Sequence, residues 1–271
     1  MEPRAPLVVL GCGFTGVEAA RLALADGRRV LGSTRTEARA AELTALGIEA
    51  RVIPRLDAAA VTAFVPAGAE VLITFPPDGV TDAALAPGLT AARALVYISS
   101  TAVYGEASGS IDESVPVDPS APRAAPRLAA EEAYRAQGAL ILRAAAIYGP
   151  GRGLHVRLAR GEHRLAGDGL AVVSRIHVTD LARLALAALD HGARGSIFNA
   201  ADATPAPQIE VITWLAARLG VPIPPSVPAD SLHETLRHDR AIDGSRGRLA
   251  LGVALVHPSY VEGFEACLDR P

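Results

Sequence analysis

The sequence predicts an α/β fold built on a doubly wound, parallel sheet. Three observations carry that expectation. Short apolar runs of strand length recur along the chain, helical patterns separate nearly all of them, and a glycine-rich turn follows the first run. Strands that are apolar throughout belong in a sheet covered on both faces.

The elements follow in order. Residues 7–10, Leu-Val-Val-Leu, form the first strand, and an Ala/Leu-rich helix runs to Ala25 and stops at Asp26-Gly27. Residues 29–32 start the second strand, and 36–46 form a helix ending at Gly47. Further strands are expected at 48–53, 71–75 (closed by Pro76-Pro77), 95–99, 139–144 and 196–199, with helices at 127–137 and 180–190. Pro/Gly-rich segments at 149–153 and 222–228 mark crossings into a second lobe. The expected division is 1–150 with 175–202 as a dinucleotide-binding Rossmann domain, and 151–174 with 203–271 as a smaller substrate lobe.

Gly11-Cys12-Gly13-Phe14-Thr15-Gly16 lies between the first strand and the first helix. There the pattern has a physical reason. One glycine permits the tight turn, one lets a pyrophosphate approach the backbone, and one lets helix pack on strand. The helix N-terminus then offers free N–H groups to the phosphates. The second strand sets the cofactor. An acid against the ribose 2′-hydroxyl is expected about 20 residues on in an NAD site, but this strand ends Ser33-Thr34-Arg35. A carboxylate would repel a 2′-phosphate, whereas Arg can hold it through paired hydrogen bonds. NADP(H) is the preferred cofactor, with NAD(H) as the second fit.

Composition removes other classes. All 26 basic residues are Arg, and no Lys occurs. A Schiff-base lysine and a P-loop lysine are therefore excluded. A net charge of −3 argues against a nucleic-acid or anionic-membrane surface. Two cysteines, Cys12 and Cys267, make no disulfide framework and fit a reducing, cytoplasmic setting. No apolar run reaches the roughly 18 residues of a membrane helix. The run before Gly11 is shorter than the about 7–15 residues of a signal-peptide core. No metal site is expected. The expected partner is a small-molecule substrate, with the chain a monomer or homodimer.

Further along stand Tyr97-Ile98-Ser99-Ser100-Thr101-Ala102-Val103-Tyr104-Gly105, Leu142-Arg143, Ile147-Tyr148-Gly149-Pro150-Gly151 and Arg175-Ile176-His177-Val178-Thr179-Asp180. These motifs, in this order over residues 7–202, resemble the extended short-chain dehydrogenase/reductase superfamily, in its NAD-dependent epimerase/dehydratase-like branch. The tail, with Arg248-Leu249 and Pro258-Ser259-Tyr260, resembles the ending of an atypical bacterial group within it. The resemblance implies that Ser100 is the catalytic Ser/Thr, holding a substrate carbonyl or hydroxyl. It implies that Phe75 and Pro76 line the adenosine side, with Ser99 and Ile147 also at the cofactor. His177 and Asp180 would be structural, with Thr179 or Asp180 capping the helix that follows.

The departures bear on mechanism. Relatives carry a Tyr four residues before a Lys, and a Glu four after it. Here Arg127-Leu128-Ala129-Ala130-Glu131 fixes the register, so Arg127 stands at the lysine position and Arg123 at the tyrosine position. Arg127 can hold ribose hydroxyls, but neither guanidinium gives up a proton near neutrality. Arg123 can stabilise a developing alkoxide or point into solvent. Tyr148 and Tyr104 are the tyrosines that can stand in, or else pack structurally. Pro54 and Arg55 stand where relatives often place an adenine-contacting Asp, leaving Asp57 as a candidate for that role. Arg152, Arg157, Arg160, Arg164 and Arg175, with His155 and His163, are either a phosphate-binding cluster or a solvated face.

Two function classes remain open. One is an NADP(H)-dependent oxidoreductase of reductase, epimerase or dehydratase type, acting on a small, anionic or sugar-like substrate without the Tyr-x-x-x-Lys couple. The other is a non-catalytic NADP(H)-binding sensor or scaffold.

Overall fold

A computed structural model describes residues 4–228, 231 and 238–268. Its centre is a seven-stranded, all-parallel sheet. The strands are β1 (Leu7–Leu10), β2 (Val30–Thr34), β3 (Glu49–Val52), β4 (Glu70–Ile73), β5 (Ala94–Ser100), β6 (Leu140–Ala144) and β7 (Ile197–Ala200), and they run in the order β7-β6-β5-β4-β1-β2-β3. The order reverses beside β1, the place where a crevice opens at the carboxyl ends of the strands.

Strand side chains alternate between two apolar cores. Leu7 and Val9 of β1, Leu72 of β4, Val96 of β5 and Leu142 of β6 face one core, together with α1 (Phe14–Ala25), α2 (Glu37–Ala45) and α7 (Val178–His191). Val8, Leu10, Val71, Ile73, Tyr97 and Ile141 face the other, with α3 (Ala58–Phe64), α4 (Thr81–Leu85) and α5 (Ala125–Ala136). The central strands are apolar on both faces, as expected. β3 is not: Glu49-Ala50-Arg51-Val52 alternates exposed and half-buried residues because it is the sheet edge, and Glu49 pairs with Arg29 there.

Boundaries move where side chains intervene. β4 stops at Ile73, two residues early, where its partner β1 ends at Leu10; beyond it the Thr74 hydroxyl donates to the Gly11 carbonyl. α7 starts at Val178 rather than 180. Its cap is neither Thr179 nor Asp180 but His177, whose Nδ1 accepts the Thr179 N–H at 3.3 Å. Asp180 instead accepts the N–H groups of Val256 and His257 and the His257 ring, tying the tail to α7.

A smaller body sits over the carboxyl ends. Strands Ala206–Pro207, Val172–Val173, Arg240–Ile242 and Gly109–Ile111 form a four-stranded sheet in that order. α6 (Leu154–Ala159), α8 (Gln208–Leu219) and α10 (Tyr260–Leu268) share a third core of Tyr148, Leu158, Leu215 and Phe264. The stretch α9 (Ser245–Ala250) returns to the central sheet: Gly247 packs on Phe198 of β7, and Leu251 enters the α1/α7 core. No helix among the described residues is long and apolar enough to cross a membrane.

Candidate functional site

A cleft of about 1200 Å³ lies along the carboxyl ends of the strands. It runs from Gly11–Thr15 past Ser33, Thr34 and Arg35 on one side, and past Ser99–Ala102 to Arg123, Arg127 and Ile147 on the other.

The glycines at its head divide their work. Gly11 has φ +86° and lies so close to Phe75 that a Cβ would stand 2.9 Å from the Phe75 Cβ. A Cβ on Gly16 would lie 2.8 Å from Val9 Cγ1 and 2.9 Å from the Gly11 carbonyl oxygen, so Gly16 seats α1 on β1. Gly13 is different. Its φ is −88°, and a Cβ would meet nothing nearer than the Gly11 oxygen at 3.9 Å. The protein's own packing does not require glycine there, whereas a ligand pressed against the backbone does. Gly13 is also the N-cap of α1, with no side-chain cap and no acid in the first turn. The helix end therefore keeps its donors and its positive field for an anion. This cradle fits a dinucleotide pyrophosphate.

At the tip of β2, the buried Ser33 hydroxyl accepts the Gly11 N–H at 3.2 Å, so it braces the loop from below. Thr34 and the exposed Arg35 line the cleft, and Arg55 adds a second guanidinium to its wall. Phe75 and Pro76 line it as expected. Asp57, the candidate for an adenine contact, does other work: it caps α3 by accepting the Ala60 N–H at 2.9 Å and is not part of the cleft wall.

On the opposite side, the last residues of β5 point two ways. The Ser99 hydroxyl donates to Glu131 at 2.6 Å, and Glu131 also takes two hydrogen bonds from Arg143. This buried set bolts α5 to β5 and β6. Arg143 further reaches Tyr104, whose hydroxyl donates to Asn199 at 2.8 Å. Tyr104 is thereby a packing residue. Ser100 faces the cleft; its oxygen accepts the Ala102 N–H at 3.2 Å, and its proton is left for another acceptor. Arg123 and Arg127 line the same cleft, and Arg127 Nη1 donates to the Arg123 carbonyl at 2.9 Å. Arg123 therefore lies on the cleft wall rather than out in solvent.

Tyr148 corrects the sequence reading. It is buried, it is not on the wall of this cleft, and its hydroxyl lies against Gly263 of α10, where any Cβ would collide with it. Burial also pushes its pKa up. It packs edge-on against His177 and beside Phe264, and cannot replace a cleft acid. Ile147, its neighbour, does line the cleft.

Two wall residues escaped the sequence reading. His238 lines the cleft with its Nδ1 3.6 Å from Glu106. Arg240 sends its guanidinium to the carbonyls of Thr101, Gly105 and Ala107, fixing the turn that follows Ser100. Both come from a segment more than a hundred residues from any of those carbonyls, and no local pattern marks them.

The arginine cluster divides. Arg152 lies over the Phe14 ring at the cleft, while Arg157, Arg160 and Arg164 are exposed. Arg175, His155 and His163 are buried.

A model of the NAD dependent epimerase/dehydratase family matches residues 7–201. A conserved protein of unknown function from Silicibacter pomeroyi is 31% identical over 98% of this chain and 99% of its own, with a TM-score of 0.85. A 3-diazoavenalumate denitrifying reductase from a Streptomyces species is 32% identical over 139 residues. That match spans 46% of this chain and less than half, 45%, of the reductase. UDP-glucuronic acid 4-epimerase from Bacillus cereus, solved with NAD, is 19% identical over 97% of each chain, with a TM-score of 0.79, a likeness of fold.

Proposed function

The chain belongs to the NAD dependent epimerase/dehydratase family, within the extended short-chain dehydrogenase/reductase superfamily, and from that membership we propose an NADP(H)-binding oxidoreductase acting on a carbonyl or hydroxyl of a small substrate. The observation that carries this reading is the continuity of one cleft from the bare Gly13 backbone to Ser100, Arg123 and Arg127.

In this reading Gly13 and the α1 N-terminus hold the pyrophosphate, and Arg35 with Thr34 takes the 2′-phosphate. Phe75 and Pro76 flank the adenosine side, and Ile147 stands beside the nicotinamide. The bound cofactor supplies the hydride chemistry. Arg127 takes over the hold on the ribose hydroxyls, while Ser100 donates to the substrate oxygen. Arg123 stabilises negative charge developing there, as oriented donors do in a water-poor site. Neither Arg can deliver a proton. Among the described cleft residues, His238 is the side chain whose ordinary pKa lies near neutrality, which makes it our candidate proton source. In this proposal 1–150 with 175–202 form the cofactor lobe, except that the strand Gly109–Ile111 joins the smaller body, and 151–174 with 203–271 supply the substrate side, except that α9 packs on the central sheet. The setting proposed is cytoplasmic.

The second reading, a non-catalytic sensor, is favoured by the loss of the Tyr-x-x-x-Lys couple. One experiment separates the two. NADPH oxidation is followed against a panel of carbonyl compounds, with wild type, Ser100→Ala and His238→Gln. Turnover that falls about 100-fold in Ser100→Ala, with an altered pH profile in His238→Gln, supports the enzyme. Tight NADPH binding with no turnover in any of them leaves the sensor.

A further inference from the structure

A second cavity of about 400 Å³ lies behind the cleft. It shares Ala146, Ile147 and Val173 with the cleft wall, so the two adjoin across those residues. This volume is many times that of a water molecule and falls in the range of small-ligand pockets. Much of its lining is apolar, with Leu154, Ile212 and Phe264 as the main surfaces.

Arg175, His163 and Tyr148 on the wall each carry a buried polar group short of what burial demands, the Tyr148 hydroxyl having no hydrogen-bond partner among the described residues. Arg175 is 6% exposed, and it donates to a neutral carbonyl, that of Val173 at 2.8 Å. It makes no ion pair among the described residues. His163 is 3% exposed, and its Nε2 has no hydrogen-bond partner there. A buried guanidinium with so little compensation is costly, and the cost falls when an anion arrives. Arg157, exposed at its other end, adds positive charge to the same wall.

We propose that this cavity binds the carboxylate end of a monoanionic substrate with an apolar body, the carboxylate pairing with Arg175 and the body lying between Ile212 and Phe264 toward the cleft. Three features select that ligand. The walls favour an alkyl or aromatic body over a sugar. Arg175 is the one buried cation on the wall; His163 adds no charge at neutral pH, because burial, and then the neighbouring arginines, push its pKa down to about 4. That single buried cation leaves a dianion such as phosphate only half neutralised. Planar pairing with a guanidinium suits a carboxylate. The inference deepens the proposed function, and rests on it only in taking the bound molecule to be the substrate.

The test uses the full chain and three probes: 3-phenylpropanoate, its amide 3-phenylpropanamide, and inorganic phosphate. Affinities are measured by calorimetry in wild type, Arg175→Met and Arg157→Gln, and NADPH affinity is measured separately on each. The acid is expected to bind wild type at least about tenfold more tightly than the amide, and to lose about tenfold or more in Arg175→Met, the worth of one charge-assisted bond. Arg157→Gln, an exposed change that leaves the fold intact, should weaken the acid only a few-fold. Should Arg175→Met fail to fold, the acid–amide difference on wild type decides alone. Equal binding of acid and amide, undiminished binding in a folded Arg175→Met, or binding of phosphate but not the acid overturns the proposal. NADPH binding without acid binding defeats this inference and spares the cofactor reading; acid binding without NADPH binding does the reverse.

Discussion

Gly13 and Gly16 stand three residues apart in one turn, yet their substitution should have opposite consequences. Gly16→Ala drives a methyl into Val9 and the Gly11 carbonyl, and should cost about 1–3 kcal/mol of stability in urea unfolding. Gly13→Ala meets open space at an ordinary φ, so it should cost only about 0.5 kcal/mol while dinucleotide affinity drops sharply. If Gly13→Ala loses several kcal/mol of stability while its folded form binds NADPH as wild type does, this assignment of roles fails. Arg35→Ala should weaken NADPH about tenfold or more, the worth of a charge-assisted bond, and leave NADH nearly unchanged in fluorescence titrations. The seating of α1 by Gly16 was legible in the sequence because its contacts with Val9 and the Gly11 carbonyl are local to one turn. Tyr148 was not. A motif places a residue along the chain, but Gly263, which removes the space around its hydroxyl, lies on a helix far away in sequence.

At the scale of elements, α5 carries both replaced positions, Arg123 just before it and Arg127 in its first turn. The helix is set against the sheet by the buried Glu131–Arg143 pair and the Ser99 hydroxyl. Breaking such a pair from one side strands the other charge, so Glu131→Ala should cost about 3–5 kcal/mol by denaturant titration. It should also weaken NADPH binding by displacing Arg127. A variant that unfolds normally and binds NADPH as wild type does would show that α5 is placed by its apolar face alone. Strand and helix order along residues 7–200 could be read because each central strand is apolar on both faces. The small strands at Val172–Val173, Ala206–Pro207 and Arg240–Ile242 could not. Two or three residues are too short for periodicity to register, and their pairing is fixed by long-range contacts such as the Ser174 hydroxyl between Arg240 and Ile242.

For the molecule as a whole, pH should act through Asp202. Burial, only partly offset by Arg175, raises its carboxyl to about 7. An unfolded Asp titrates near about 3.9, so between these values the folded state holds the extra proton. Stability from this group is therefore complete below the unfolded pKa and is lost as pH rises through about 7. The slope is on the order of 1 kcal/mol per pH unit. Asp202→Asn should flatten the melting temperature between those pH values; an unchanged curve would remove Asp202 as its source. The seven strands of the sheet are complete once Ala200 has been made, but the turn after Ser100 is gripped by Arg240. On a translating ribosome moving at about 5–20 residues per second, the glycine turn is thus made a few seconds before the wall that faces it. A chain cut short after Ala200 would hold the glycine turn but lack both the Arg240 grip on the turn after Ser100 and the Leu251 side chain in the α1/α7 core, so its length, not its sheet topology, sets when it becomes competent.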